Sequence, residues 1–247
     1  MNTEHKTTDF GYQQIQWDEK INRVRQVFDS VADKYDVMND LMSFGLHRLW
    51  KQFSVEFSLP NKGDHLLDLA GGTGDIAKRM VPSIGPSGKI TVSDINPNML
   101  KLAEQKLKGL DVELAFVVAD AEQLPFEDQS FDLITMAFGL RNVTDKQQAL
   151  KEMKRCLKPG GKVVILEFSK VKHPMLSKLY DVYSFKALPV LGKLVAQDAD
   201  SYRYLAESIR KHPDQLTLKS MLQKAGFNHA GFINLSDGIV AIHYGYA

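Results

Sequence analysis

The sequence predicts an α/β fold with a seven-stranded, mostly parallel sheet, helices on both of its faces and an antiparallel last strand. Short apolar runs alternate with helical segments through the middle of the 247-residue chain, which is the pattern of a parallel sheet covered on both sides. A glycine-rich turn, 68–75, follows the first apolar run and opens a helix. Ser236-Asp237-Gly238 separates the last two extended runs, and Asp-Gly in that place predicts a hairpin.

Each element is predicted from its local pattern. Apolar residues at spacings of three and four from Val24 to Tyr35 predict an amphipathic helix ahead of the sheet, with more helix at 46–57. Strands are predicted at 65–70, 89–95, 112–119, 131–138 and 162–168, and helices between them at 75–84, 97–107 and 145–157. The run Lys158-Pro159-Gly160-Gly161 ends the last of these helices. A helix at 216–225 then leads to hairpin strands at 230–235 and 239–246.

The composition predicts one domain, 1–247, with an N-terminal helical cap at 1–57 and a helical lid insertion at 169–214. The chain is 44% hydrophobic and 25% charged, which is typical of a globular domain. Its 31 Lys and Arg residues nearly balance its 30 Asp and Glu residues, so no nucleic-acid partner is predicted. Cys156 is the single cysteine, and the seven histidines lack ligand spacing. The sequence therefore predicts no disulfide and no metal site.

The N-terminus bears on localisation. Residues 1–9 are polar and lack the apolar region of a secretory signal. No stretch approaches the roughly 18 to 20 apolar residues that span a bilayer. We expect a cytoplasmic protein, soluble or peripheral at the inner face of the membrane.

Acidic residues favour one nucleotide-like cofactor over another. The turn alone leaves NAD(P) and S-adenosylmethionine (SAM) open, because Gly72 to Ala77 satisfies the G-x-G-x-x-G/A pattern. Asp94 and Asp120 end the second and third predicted strands, and Asp68 and Asp75 flank the turn. Four carboxylates would repel a pyrophosphate but suit a sulfonium and an ammonium group. The alternative is that Asp75 only begins a helix and that Asp94 and Asp120 are solvated turn residues.

Several segments resemble a known family. The segments 68–75, 120–126, 138–143 and 157–161 resemble the motifs of class I SAM-dependent methyltransferases. The chain specifically resembles the ubiquinone and menaquinone biosynthesis C-methyltransferases, and the segments 34–43 and 198–205 extend that match beyond the cofactor half. The resemblance implies a Rossmann-like class I methyltransferase fold with SAM as cofactor.

The cofactor contacts expected from the turn, the acids and the resemblance are Asp68, Gly71, Gly72, Thr73, Gly74, Asp94, Asp120 and Ala121. Some relatives have Ser at position 137, where this chain has Ala137, so we expect a backbone contact there instead of a side-chain hydrogen bond. Tyr35, Tyr202 and Arg203 are candidates for the substrate side. Tyr35 at helical spacing fits a core position as well.

The resemblance implies methyl transfer to a ring carbon of a polyprenylated benzoquinol or naphthoquinol. Arg141 follows the fourth strand, where the ring is expected, and is our candidate for stabilising a phenolate. Asn142 is expected to orient the same hydroxyl. The alternative for Arg141 is a structural pair with Asp145 or another acid.

Apolar residues and lysines intersperse in the lid. This mixture fits a polyprenyl tail at an anionic membrane surface, and it fits ordinary helix packing equally well. A homo-oligomer or a biosynthetic complex also stays open.

Three other functions share parts of these signals. A nicotinamide oxidoreductase shares the glycine pattern, and the acids and the C-terminal hairpin argue against it. A nucleic-acid methyltransferase shares the cofactor half but would usually bring a basic face. A non-catalytic SAM-binding scaffold is distinguished only by an activity assay.

Overall fold

The computed structural model describes residues 6–31, 39–40, 43–187 and 199–247. The seven strands of its main sheet are β3 His65–Leu69, β4 Lys89–Asp94, β5 Glu113–Val118, β6 Phe131–Ala137, β7 Leu157–Phe168, β8 Asn228–Leu235 and β9 Val240–Tyr246. They lie in the order β5-β4-β3-β6-β7-β9-β8. In that sheet, β9 is antiparallel to both of its neighbours, and the pairings among β3 to β7 are parallel. The predicted sheet and its C-terminal hairpin are confirmed.

Helices cover both faces of this sheet. The described helices are α1 Lys20–Val31, α2 Leu46–Ser58, α3 Asp75–Ile84, α4 Pro97–Leu107, α5 Lys146–Cys156, α6 Pro174–Val182, α7 Ala199–Lys211 and α8 Gln215–Lys224. Neighbouring strand residues such as Leu66 and Leu67 point into different cores, as the alternation of a strand requires. One core is closed by α2, α3, α4 and α7, and the other by α5 and α8. Cys156 is fully buried in the second core.

One element was not predicted, and one detail of the prediction was wrong. The unpredicted element is an antiparallel hairpin ahead of α1, formed by β1 Thr7–Phe10 and β2 Gln13–Gln16. Each strand is only four residues long and largely polar, too short to give a periodic signal. The fifth strand of the parallel set begins at Leu157 instead of Lys162, and the pairing shifts between Phe131 and Leu133. The Lys-Pro-Gly-Gly run is therefore an interruption within β7.

Capping residues set where several helices begin. The side chain of Asn96 accepts from the backbone N–H of Asn98 at the start of α4, and Asp145 accepts from Gln148 N at the start of α5. Both satisfy N–H groups that have no partner within the helix. Both caps also lie beside the carboxyl ends of the parallel strands, so they fix the loops that form the site. Within the described ranges, no helix is long and apolar enough to cross a membrane.

Candidate active site

The glycine turn folds back onto the neighbouring strand. Gly71 donates its N–H to the carbonyl of Ser93 at 3.0 Å. A Cβ at Gly71 would lie 2.8 Å from Cγ1 of Val92, so this close approach requires glycine. Ala70 next to it has a φ of 52°, which is unusual for a residue with a side chain. The turn is thus held tightly against the end of β4.

Asp94 joins this turn to the end of β4. Its Oδ2 accepts from the N–H of Gly72 at 2.9 Å, and its Oδ1 accepts from the N–H of Asn96 at 2.9 Å. Burial raises the pKa of Asp94 above its usual range. A carboxylate offers about four lone-pair sites, so each oxygen keeps capacity for one more donor. The pair of ribose hydroxyls in a nucleoside matches that capacity.

One cavity of about 760 Å³, counting space open to solvent, collects most of the predicted cofactor residues. This is the size range of small-molecule sites. Gly72, Asp94, Asp120, Ala121, Ala137 and Asn142 line it. Asp120 accepts from the N–H of Glu122 at 2.9 Å, and Glu122 in turn accepts from the N–H of Thr144 at 2.9 Å. The loops after β5 and β6 are therefore tied together at the cavity wall.

Helix α1 closes the cavity from the cap. Ile21, Val24 and Phe28 line it from this side. Asp29 on the same helix accepts from Nδ2 of Asn96 at 2.9 Å, which links the cap to the loop that carries Asp94. The apolar wall was not assigned to the site by the sequence analysis, although its spacing of three and four was read as a helix. The spacing of apolar residues predicted the helix, but it did not predict that the buried side of the helix faces the cavity.

Asp68 lies behind the turn and does not line the cavity. Its Oδ2 accepts from the N–H of Ala77 at 3.1 Å, and its Oδ1 accepts from Oγ1 of Thr135 at 3.0 Å. Burial raises the pKa of Asp68 to about 7. Gly71, Thr73 and Gly74 likewise shape the turn without lining the cavity. These four predicted residues support the site from behind.

The guanidinium of Arg141 forms a buried pair with Glu167. Its Nη1 donates to Oε1 of Glu167 at 3.0 Å, and the two side chains are 5% and 0% exposed. The same nitrogen also donates to the carbonyl of Phe138, and the backbone N–H of Arg141 donates to Oε2 of Glu167 at 3.1 Å. The structural pairing that the sequence left open is therefore present, with Glu167 and not with Asp145.

Asn142 reaches the cavity next to this pair. Its Oδ1 accepts a hydrogen bond from the hydroxyl of Tyr204 at 3.0 Å. Burial raises the pKa of Tyr204, so its phenol stays protonated and remains a donor. Tyr204 itself stacks on Phe10 of the N-terminal hairpin with ring centroids 4.1 Å apart. Tyr204 is a site residue that the sequence analysis missed.

Two of the predicted substrate residues, Tyr202 and Arg203, do not line the cavity. Tyr202 is 1% exposed and packs in the core beneath α7. Arg203 is exposed and pairs with Asp200 at 3.5 Å on the same helix. Successive side chains of a helix are rotated by about 100°, so Tyr202, Arg203 and Tyr204 of α7 point in different directions. Tyr204 is the one of the three that contacts the site loop through Asn142. Tyr35 lies outside the described residues.

The cavity fits the predicted cofactor on its own geometry. Two carboxylates, Asp94 and Asp120, stand at the carboxyl ends of adjacent strands, and Ala70 and Gly72 of the glycine turn line the same cavity. Such a donor set suits a cationic nucleoside better than a pyrophosphate. Among the described residues, no group of three or more His, Cys, Asp or Glu side chains is placed to hold a metal ion.

A family model described as the ubiE/COQ5 methyltransferase family matches residues 16–247. The chain belongs to the ubiE/COQ5 methyltransferase family. Two relatives carry the name ubiquinone/menaquinone biosynthesis C-methyltransferase UbiE. The one from Francisella tularensis subsp. novicida (strain U112) is 58% identical over 248 residues, covering 100% of this chain and 99% of the relative. The one from Hahella chejuensis (strain KCTC 2396) is 57% identical, covering 98% of each.

Solved structures give the same fold at low sequence identity. A SAM-dependent methyltransferase from Aquifex aeolicus has a TM-score of 0.61 at 17% identity, covering 85% of this chain and 97% of that one. Phosphoethanolamine N-methyltransferase 2 from Haemonchus contortus, solved with SAM, has a TM-score of 0.54 at 20% identity, covering 75% and 38%. Family membership and the Rossmann-like fold agree with the choice of SAM as cofactor, which the sequence analysis based on the aspartates around the glycine turn. This ubiE/COQ5 family member is a methyltransferase, and its cofactor is SAM.

Proposed function

We propose that this chain transfers a methyl group from SAM to a ring carbon of a polyprenylated quinol, the acceptor being a methoxylated benzoquinol, demethylmenaquinol or both. The observation that carries the proposal is the match to a relative of 58% identity along the whole chain, whose printed name is ubiquinone/menaquinone biosynthesis C-methyltransferase. The cavity supports it by combining cofactor carboxylates with the Asn142 amide on one wall.

The chemistry sets what the site must do. When bound, SAM supplies an electrophilic methyl group on a sulfonium. A ring carbon is a weak nucleophile, and partial loss of a phenolic proton from the quinol increases its electron density. The chain contributes by holding the two reactants in line, an effect in the range of about 7–11 kcal/mol. Asp94 and Asp120 orient the donor, and the apolar residues of α1 exclude water from the reacting atoms.

Asn142 is the residue that we assign to the acceptor. Because Oδ1 is taken by the hydroxyl of Tyr204, the amide presents its Nδ2 donor to the cavity. A donor at this place binds a phenolic oxygen and stabilises the negative charge that develops on it. Asn142 therefore fixes which ring carbon faces the methyl donor.

Arg141 acts as a positioning residue in this proposal. Glu167 neutralises the guanidinium, so the pair offers no net charge to a phenolate. If the guanidinium of Arg141 left Glu167 to contact the quinol ring, Glu167 would stay buried without a cation, which costs about 3–5 kcal/mol. Its bonds to Glu167 and to the carbonyl of Phe138 instead hold the turn that carries Asn142. The direct phenolate contact suggested by the sequence is the competing assignment.

An apolar groove next to the cavity fits the polyprenyl tail. It encloses about 730 Å³, counting space open to solvent, and its lining is almost wholly apolar. We call it the tail groove; it is lined by Ser43, Phe44, Leu46, Trp50, Leu176, Tyr180, Tyr183 and Ile239. Its Trp50 ring lies 6.4 Å from the ring of Phe138, which lines the cavity. A tail here leaves the quinol head at the cavity, and a lipid substrate of this kind brings the protein to a membrane.

The test is transfer of labelled methyl from SAM to each chemically reduced quinol. Product from either acceptor supports the reaction class, and the preferred ring identifies the pathway. Asp94→Ala is the control that removes a proposed cofactor contact, and it should abolish SAM binding and turnover together. If wild-type protein binds SAM but methylates neither quinol, the quinol assignment is wrong.

A further inference from the structure

Helix α2 carries apolar side chains on its solvent side. Leu46, Leu49 and Phe53 are 39%, 66% and 43% exposed, and their spacing places them in one stripe. Phe44, in the turn just before the helix, is 76% exposed. Surface helices normally show the opposite arrangement, with the apolar stripe toward the core. We call Phe44, Leu46, Leu49 and Phe53 the docking face.

The inner side of α2 mixes polar and apolar residues. His47, Lys51, Ser54 and Ser58 are buried there together with Trp50 and Val55. Lys51 is satisfied by Asp75 at 2.9 Å, and Nε2 of His47 lies 2.9 Å from Oδ1 of Asp40. The helix is thus held on the domain by these polar contacts as well as by Trp50 and Val55, while Leu49 and Phe53 face outward.

A basic cleft borders the docking face. It lies between the first turn of α2 and the N-terminus of α3 and encloses about 710 Å³, counting space open to solvent. Arg48, Lys78, Arg79 and Lys106 line it together with Asp75. Arg48 is paired with Asp40 at 2.7 Å and Arg79 with Asp75 at 3.1 Å, so these four cations are set against two carboxylates. Burial lowers the pKa of His47, so this histidine adds no charge at neutral pH. The cleft therefore carries an excess of positive charge.

Exposed lysines lie close in sequence to the α6 residues of the tail groove. Met175 on α6 is 75% exposed, next to Leu176 in the groove lining. Lys172 and Lys178 are exposed three residues before and after Met175. The outer side of α2 carries one acid toward its C-terminal end, Glu56, which accepts from Gln52 at 2.9 Å. The segment that lines the groove from α6 therefore combines an exposed apolar side chain with exposed lysines.

We propose that the docking face inserts into an anionic phospholipid surface while the basic cleft binds lipid phosphates. Exposed apolar groups bordered by lysine and arginine are the pattern of an interfacial membrane contact. A second copy of this chain would bring the same positive cleft to the contact, so the charge favours an anionic surface. The proposal rests on the proposed lipid substrate, because the tail groove opens among these residues and docking there gives the tail a direct path from the bilayer.

The test is sedimentation of the full chain with vesicles of phosphatidylcholine alone and of an equimolar mixture with phosphatidylglycerol. The apolar variant is Leu49→Ser with Phe53→Ser, and the charge variant is Lys78→Gln with Lys106→Gln. Leu216→Ser with Lys224→Gln is the matched control, because Leu216 is 70% exposed and α8 covers the opposite face of the sheet. Each variant is also assayed with a short-tailed quinol in the absence of vesicles.

Wild type and control should bind the anionic vesicles and bind phosphatidylcholine weakly. The apolar variant should lose about ten-fold in partitioning onto anionic vesicles, and the charge variant should lose its preference for anionic lipid and its sensitivity to salt. Equal binding by all proteins would overturn the proposal. So would an absence of vesicle binding in wild type, or an oligomer in solution that only the apolar variant disrupts. The short-tailed quinol separates the two proposals, since its methylation should be unchanged in every variant and its failure in wild type would refute the reaction instead.

Discussion

The hydroxyl of Tyr204 donates a hydrogen bond to Oδ1 of Asn142 at 3.0 Å, and this bond decides which end of the amide faces the cavity. Tyr204 is held by its stacking on Phe10 and stays protonated because burial raises its pKa. The N-terminal hairpin, α7 and the loop after β6 therefore cooperate in orienting one donor. Tyr204 acts through Asn142 and is a positioning residue.

Tyr204→Phe should lower kcat for the quinol by about ten-fold while leaving the affinity for SAM unchanged. The ring and its stacking remain, and only the bond that orients Asn142 is lost, which at the upper end of the usual range for one hydrogen bond is worth about 1.4 kcal/mol. Steady-state kinetics and calorimetric SAM binding measure the two effects. Tyr202→Phe on the same helix is the control and should keep wild-type kcat. A loss of kcat in Tyr202→Phe would return Tyr202 to the substrate side, as the sequence suggested.

Arg141→Met should reduce the free energy of unfolding by about 3–5 kcal/mol, because it leaves the Glu167 carboxylate buried without its cation. Adding Glu167→Gln removes that charge and should recover much of the loss, measured by urea unfolding. If Arg141 only positions the loop, kcat should recover along with stability. If stability recovers and kcat does not, the guanidinium acts on the acceptor oxygen directly.

The parallel sheet, its hairpin and the cofactor acids were predictable because each follows from local sequence. Asp94 and Asp120 come directly after strands, and the carboxyl ends of parallel strands meet at one edge of a sheet. The helix spacing of α1 and the glycine turn are likewise local patterns. These features need no knowledge of which distant residues meet.

The rest of the site depends on pairs that are far apart in the chain. Arg141 meets Glu167 across 26 residues, and Asn142 meets Tyr204 across 62. No periodicity links such residues. The sequence analysis could therefore name only Asp145 or another acid as the partner of Arg141. The outward apolar stripe of α2 was missed for a related reason, since a helical spacing does not say which stripe is buried.

Asp68 should make the unfolding free energy depend on pH. The folded-state pKa of Asp68, about 7, lies above the usual value. Its stabilising contribution to the free energy of unfolding is therefore fully present below the unfolded-state pKa and is lost as the pH rises to about 7. The slope from this group approaches about 1.4 kcal/mol per pH unit between those two values. Urea unfolding of wild type and Asp68→Asn across this pH range measures the contribution of Asp68 as the difference between their free energies of unfolding. The variant should be stabilised relative to wild type as pH rises, and parallel curves would refute the prediction.

Gly139→Ala should weaken SAM binding and destabilise the fold by about 1–3 kcal/mol. The added Cβ would lie 2.6 Å from Cβ of Ala70, and both residues line the cavity. Ala70→Gly in the same chain removes that clash and also suits the positive φ at position 70. Thermal unfolding and SAM titration should therefore show rescue in the double variant. Full tolerance of Gly139→Ala alone would show that the two loops separate more easily than their packing implies.

The most direct test of the whole account is NMR identification of the product that wild-type protein forms from isotopically labelled SAM and each reduced polyprenyl quinol. We predict that the label appears as a methyl group on a ring carbon of the quinol, with neither of the two quinol hydroxyls methylated. A label on oxygen, or no product from a protein that still binds SAM, would contradict the central claim that this site performs C-methylation of a quinol.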